Sequence, residues 1–122
     1  MAKGASISGF PEWLPSERVV EQRVIDTLRK VFELNGFIGI ETRAVETGAS
    51  LLKKGETSKE IYLLSRLQEV GHESDTPIEE RLGLHFDLTV PLSRYVVEHS
   101  GALAFPFKRW QIQKVKSEAK RS

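Results

Sequence analysis

The ten residues 82–91 constrain the fold of this chain more than any other stretch. Apolar side chains alternate there with small or polar ones, the apolar set being Leu82, Leu84, Phe86, Leu88 and Val90. Successive side chains of a β-strand point to opposite faces, so the alternation predicts a half-buried strand with this apolar face on the core. Pro91 is expected to end the strand, because it has no backbone N–H and its fixed φ suits the first turn of a helix.

The opposite face of the predicted strand carries His85, Asp87 and Thr89. A carboxylate and a hydroxyl two residues apart make a small polar cradle that suits a positively charged group. Polar side chains on the open face of an antiparallel strand are commonly only solvated, and the pattern alone favours this plainer interpretation. From the residues by themselves, both interpretations stay open.

Length and composition predict one soluble globular domain. The chain has 122 residues, of which 39% are hydrophobic and 29% charged, values that allow a modest core. Eighteen Lys and Arg against 17 Asp and Glu give a formal net charge of +1, which says nothing for or against a nucleic-acid partner. Cysteine is absent, so disulfides and thiolate chemistry are excluded.

The sequence carries no signal for membranes or metals. No apolar run approaches the ~18 residues of a membrane span, and the N-terminus has no signal-peptide core, so a cytoplasmic protein without a membrane partner is expected. His72, Glu73 and Asp75 have metal-ligating side chains, but they crowd a loop with no fixed face. We therefore predict no metal site there.

Helical and strand patterns fill the rest of the chain. Apolar residues recur at helical spacing and predict a helix over residues 16–35 that Gly36 ends. A second helix is expected to follow Pro91 and to end near Gly101, and a short helical turn is expected within residues 51–55. Further strands are predicted at residues 37–42, 61–64 and 107–115, and residues 116–122 are expected to be a disordered tail.

Four segments, taken in order, resemble a known family, the histidyl-tRNA synthetases. Residues 9–15 resemble the N-terminal segment of these enzymes, and residues 36–42 after the first helix resemble motif 1 of class II synthetases. Residues 87–95, Asp-Leu-Thr-Val-Pro-Leu-Ser-Arg-Tyr, resemble their histidine-binding segment. Residues 107–115, Phe-Lys-Arg-Trp-Gln-Ile-Gln-Lys-Val, are similar to the strand that opens motif 2.

The resemblance implies an α+β fold, an incomplete class II catalytic fold in which helices pack on one side of an antiparallel sheet. Residues 1–115 would be the N-terminal part of the catalytic domain, with a homodimer interface at motif 1. Asp87 and Thr89 would bind the α-ammonium of histidine, through charge-assisted hydrogen bonds. The complete enzyme would use ATP and Mg²⁺ to activate histidine and would transfer it to tRNA(His).

Some positions depart from the family pattern. Arg43 stands where motif 1 carries proline, and His85 stands where many members carry arginine. After Val115 the sequence no longer matches, and the motif 2 arginine that grips the α-phosphate of ATP has no counterpart. No catalytic residue is therefore predicted, no tight binding of ATP or Mg²⁺ is expected, and the chain alone is expected not to aminoacylate tRNA.

Two other functions stay open beside a synthetase. The regulatory subunit of ATP phosphoribosyltransferase shares the synthetase fold and a similar Asp-x-Thr segment, without aminoacylation. A dimerisation module built on the helix at residues 16–35 is the other alternative. Residues 89–95 and 108–115 favour the synthetase over the regulatory subunit, although the missing motif 2 arginine is the feature that would separate the two most cleanly.

Overall fold

A computed structural model describes residue 7 and residues 9–52, 61–72 and 75–116 of the chain. Predictions for the tail after residue 116, for residues 53–55 of the expected helical turn and for Glu73 lie outside these residues. The chain divides into two units: the described residues up to 41 and from 99 to 113 form the first, and those from 42 to 98 and from 114 to 116 form the second. Its helices and strands, in order, are α1 (Pro15–Leu34), β1 (Ile38–Gly39), β2 (Val45–Thr47), α2 (Gly48–Leu52), β3 (Leu63–Leu64), β4 (Leu82–Leu84), α3 (Thr89–His99) and β5 (Arg109–Trp110).

The first unit is built on α1 and a two-stranded parallel sheet. The first helix is confirmed, with Gly36 after it at a φ of +80°, where only a residue without Cβ is unstrained. This turn leads directly into β1, whose Ile38 pairs with Arg109 of β5. Both strands are shorter than the predicted residues 37–42 and 107–115.

Aromatic rings fill the space between α1 and this sheet. Phe32 stacks on Trp110 with ring centroids 6.2 Å apart and an interplanar angle of 16°. Phe37 approaches Phe32 at the same centroid distance but tilted by 57°. Gly39 permits this packing, because a Cβ there would lie 2.6 Å from the Trp110 ring.

The second unit is built on a three-stranded antiparallel sheet in the order β2–β4–β3. Val45 of β2 pairs with Leu84 of the central strand, and Leu63 of β3 pairs with Gly83. Strand β2 was not predicted from the sequence, whereas β3 lies within the predicted residues 61–64. Helices and an antiparallel sheet in one chain confirm the predicted α+β class.

The predicted long strand over residues 82–90 was wrong in its length and in its packed face. Strand β4 ends at Leu84, and Thr89 is already the first residue of α3. Gly83 and His85 are buried, whereas Leu82 is 48% exposed. The reason is close packing behind Gly83, where a Cβ would lie 2.7 Å from the Leu51 side chain.

The helix that was predicted to follow Pro91 is confirmed, but it begins at Thr89, two residues before Pro91. Pro91 is the third residue of α3 and is buried. Its missing N–H costs nothing there, because the first four N–H groups of a helix have no partner within the helix. A 3₁₀ turn, Ser100–Ala102, follows the helix near the predicted end.

Candidate functional site

The candidate site lies at the start of α3, where the structure places both predicted binding residues. Asp87 is half-buried in the connection between β4 and α3, and Thr89 is exposed in the first turn of the helix. The Asp87 Oδ1 accepts a long hydrogen bond of 3.4 Å from the Val90 N–H. The carboxylate thus accepts from one of the N–H groups that have no partner within the helix. This hydrogen bond between side chain and backbone favours the start of a helix over continuation of the strand.

The electrostatics of this position differ from those of an open strand face. The N-terminus of a helix carries roughly half a positive charge, which attracts the Asp87 carboxylate beside it. A cation near the same N-terminus is repelled by that partial charge, and only the full negative charge of a carboxylate can outweigh it. Among the two predicted residues, Asp87 is therefore the one able to attract an ammonium group, and Thr89 adds a neutral acceptor.

Helix α3 is anchored to β2 by a buried ion pair. The Arg94 Nε lies 2.7 Å from one Glu46 carboxylate oxygen and 2.8 Å from the other. The Glu46 side chain is fully buried and the Arg94 side chain is 14% exposed. A second Arg94 nitrogen donates to Glu98 at 2.9 Å. Because short charge-assisted bonds have narrow geometry, this pair fixes where the start of α3 lies relative to β2.

His85 lies two residues before Asp87 and is also buried, at 3% exposure. Its Nε2 lies 2.6 Å from the carbonyl oxygen of Lys114. Its backbone N–H donates to the Ala44 carbonyl at 2.9 Å, and its own carbonyl accepts from the Lys116 N–H at the same distance. His85 is thus a packed side chain and not a member of an open polar face.

Sequence reasoning missed Glu46 and Arg94 as a pair. They are 48 residues apart, and each looks like an ordinary surface residue in its own segment. The burial of Glu46 between Val45 and Thr47 runs against the residue's usual preference for the surface, so periodicity gave no sign of it. The burial of His85 was missed for a related reason, since the alternation placed it on the opposite, open face.

Two further findings concern metals and membranes. In the part of the chain that the structure describes, no three His, Cys, Asp or Glu side chains come together as metal ligands. The His72 Nδ1 lies 3.5 Å from the Asp75 Oδ2, and both side chains are largely exposed. Of the described helices, none combines the length and the apolar character needed to cross a bilayer.

Curated proteins that are similar in sequence to the chain include histidine–tRNA ligases of several bacteria. A histidine–tRNA ligase from Bifidobacterium animalis subsp. lactis (strain AD011) is 93% identical over 115 residues, a match that covers 94% of this chain and 25% of that protein. This chain is homologous to histidine–tRNA ligases. The histidine–tRNA ligase of Micrococcus luteus is 62% identical over 122 aligned residues, covering 94% of this chain and 27% of that enzyme. No family model matches the chain.

Solved structures agree with the histidine–tRNA ligase relationship. The crystal structure of histidyl-tRNA synthetase from Nostoc sp. PCC 7120 matches with a TM-score of 0.78 and 41% identity, over 96% of this chain and 26% of that one. An ATP phosphoribosyltransferase regulatory subunit/histidyl-tRNA synthetase from Bacillus halodurans C matches with a TM-score of 0.70 over 89% of this chain and 26% of that one. At 20% identity, this second likeness shows the fold alone.

The chain spans about a quarter of the length of the curated histidine–tRNA ligases that it matches. The relationship predicted from residues 9–15, 36–42, 87–95 and 107–115 is thereby confirmed for the shared part. Over that part the chain is similar in sequence to histidine–tRNA ligases and similar in fold to histidyl-tRNA synthetase.

Proposed function

We propose that residues 1–115 form the N-terminal part of the class II catalytic domain of a histidine–tRNA ligase. In the complete enzyme this part would contribute to the activation of histidine with ATP and Mg²⁺ and to its transfer to tRNA(His). The observation that carries the proposal is the 93% identity over 115 residues with the Bifidobacterium enzyme. A cytoplasmic location follows from the same proposal, since charged tRNA is used in translation there.

Within this function, Asp87 and Thr89 bind the α-ammonium group of histidine. The position of Asp87 at the start of α3 supports its role, because the Val90 N–H holds the carboxylate in place and a carboxylate attracts an ammonium group. The buried Glu46–Arg94 pair supports it further by fixing the start of the helix. Held at its nitrogen, the amino acid can present its own carboxylate to the α-phosphate of ATP.

ATP enters this proposal as a substrate of the complete enzyme, and Mg²⁺ would neutralise the charge of its phosphates. No described residue of this chain is assigned to either group, and no described cluster of carboxylates and imidazoles suits a metal. The residue roles that we propose for this chain therefore concern histidine and its positioning.

A regulatory subunit of ATP phosphoribosyltransferase is the second candidate. The likeness to the Bacillus halodurans structure, with a TM-score of 0.70, favours it only at the level of the fold. The two candidates differ in sequence support, since identity is 20% for that structure and 93% for the Bifidobacterium ligase. The ligase is therefore the function that we propose.

Calorimetry with a matched pair of ligands tests the ammonium site. We expect Asp87→Asn to weaken histidine binding by about 1.5–3 kcal/mol, because the charge is lost. The amide oxygen of the asparagine can still accept from the Val90 N–H, so the start of α3 is preserved. Imidazolepropionate, which lacks the ammonium, is the control ligand, and its binding should respond little to the same change.

Equal weakening of both ligands by Asp87→Asn would mean that the residue supports the helix and does not bind the ammonium. Thr89→Val extends the test, because it keeps the shape of the side chain and removes the hydroxyl. A loss of about 1 kcal/mol for histidine, and none for imidazolepropionate, is expected. Failure of the unaltered chain to bind histidine at all would contradict the proposed site.

A homodimer formed through α1 is the second part of the proposal. None of the described residues of α1 is buried, and one side of the helix carries an apolar stripe. The stripe consists of Val20, Val24, Leu28, Val31 and Leu34, which are 42–85% exposed in the single chain. Such a continuous apolar helix face is typical of an interface, and a second copy of this chain is the partner that we propose.

Sedimentation velocity tests the dimer. Val24→Lys places a charge in the middle of the stripe and should shift the protein to the monomer at concentrations where the unaltered chain is dimeric. Val97→Lys is the matched control, because Val97 is 76% exposed on α3 and lies outside the stripe. The proposal fails if both variants sediment alike, or if the unaltered chain is a monomer throughout.

A further inference from the structure

His85 holds a neighbouring segment of the second unit in two ways. Its ring Nε2 contacts the Lys114 carbonyl oxygen at 2.6 Å, and its backbone carbonyl accepts from the Lys116 N–H at 2.9 Å. One residue thus bonds to both ends of residues 114–116, once through its side chain and once through its backbone. The function proposed above assigns no role to this side chain.

The hydrogen bonds define which ring nitrogen of His85 carries the proton. A carbonyl oxygen only accepts, so a 2.6 Å contact requires the proton on Nε2. Nδ1 is buried, and no described residue offers it a hydrogen-bond partner. A proton on Nδ1 would leave a buried donor unsatisfied, which is costly, so the Nε2–H tautomer with a bare Nδ1 fits this environment.

We propose that His85 is a positioning residue that latches residues 114–116 to the segment preceding Asp87. It does not touch the amino acid; it acts through the backbone of the segment it holds. This role rests on the proposed function in one respect, namely that the neighbouring Asp87 binds histidine. The latch itself depends only on the two hydrogen bonds to Lys114 and Lys116.

The tautomer can be measured in the unaltered 122-residue chain. Nitrogen-15 NMR of the imidazole rings should show a protonated Nε2 and an unprotonated Nδ1 in His85, with two distinct chemical shifts that exchange between tautomers does not average. His72, which is 73% exposed, is the internal reference and should show rapid averaging. An Nδ1–H tautomer of His85, or averaging like that of His72, would overturn the proposal.

Two substitutions separate the hydrogen bond from the size of the ring. His85→Gln can place an amide N–H near the position of Nε2, whereas the shorter His85→Asn cannot reach it. Hydrogen exchange at the Lys116 amide should be about tenfold faster in His85→Asn and within about threefold of the unaltered chain in His85→Gln. His72→Gln should leave this exchange unchanged.

Equal exchange in both His85 variants contradicts the latch. If His85→Asn does not fold, the latch is still tested by the tautomer of the unaltered chain and by Lys116 amide exchange in His85→Gln compared with the unaltered chain. Histidine affinity adds the functional measurement, with binding about tenfold weaker in His85→Asn and restored in His85→Gln. If the unaltered chain binds no histidine while the NMR and exchange results hold, the proposed function fails and the latch remains.

Discussion

The two units bury their side chains in opposite ways. In the first unit, α1 contacts its sheet through aromatic rings and leaves an apolar stripe exposed. Among the described residues of the second unit, the polar side chains of Thr42, Glu46 and His85 are buried, whereas Leu51 is the buried aliphatic side chain. Removing an apolar contact destabilises a protein in proportion to the apolar area that is no longer buried. Removing the partner of a buried charge is more costly, because the remaining charge stays buried without compensation. The second unit should therefore be the more sensitive to single changes.

Arg94→Met should give the largest effect. It leaves the fully buried Glu46 carboxylate without its close partner, a situation that typically costs about 3–5 kcal/mol. Urea unfolding measures the change. Arg43→Met is the matched control, because Arg43 is 55% exposed and lies 3.5 Å from Glu46, so its loss should cost less than about 1 kcal/mol. Similar losses in both variants would contradict the importance of burial.

Gly48→Ala should have the next largest effect, and it tests close packing in the second unit. A Cβ at Gly48 would lie 1.9 Å from the Ile78 carbonyl oxygen, which belongs to the backbone and cannot turn away. We expect a loss of about 1–3 kcal/mol in urea unfolding. Gly101→Ala, where a Cβ would meet no atom within 4 Å, is the control. A neutral Gly48→Ala would show that the Ile78 turn can move.

Phe32→Leu tests the aromatic packing of the first unit and should have a smaller effect. The leucine keeps an apolar side chain but removes the stacking on Trp110, for a loss of about 0.5–1.5 kcal/mol. Tryptophan fluorescence during unfolding follows the change, in a Trp13→Phe background that leaves Trp110 as the reporter. A loss above that of Arg94→Met would reverse the comparison between the units.

Val24→Lys should have the smallest effect on the stability of the single chain. Val24 is 54% exposed on α1, so at concentrations below dimerisation its replacement should change the free energy of unfolding by less than about 0.5 kcal/mol. Urea unfolding of a dilute sample provides the measurement. A large loss there would mean that the stripe packs within the chain and is no interface.

The family relationship and several elements could be predicted from the sequence because their signals are local. Apolar spacing and Gly36 defined α1, since helix periodicity and a left-handed end depend on neighbouring residues. Pro91 marked a helix start for the same reason. The segments at residues 87–95 and 107–115 identified the family through residue types in order.

Tertiary structure alone decided which groups are buried and where the central strand ends. The alternation in residues 82–90 predicted a strand, but close packing against Gly83 and the hydrogen bond of Asp87 to the helix start overrode it. The Glu46–Arg94 pair and the contact of His85 with Lys114 join residues 48 and 29 positions apart. A local pattern has no information about such partners, because the energy of each bond depends on burial that only the folded chain creates.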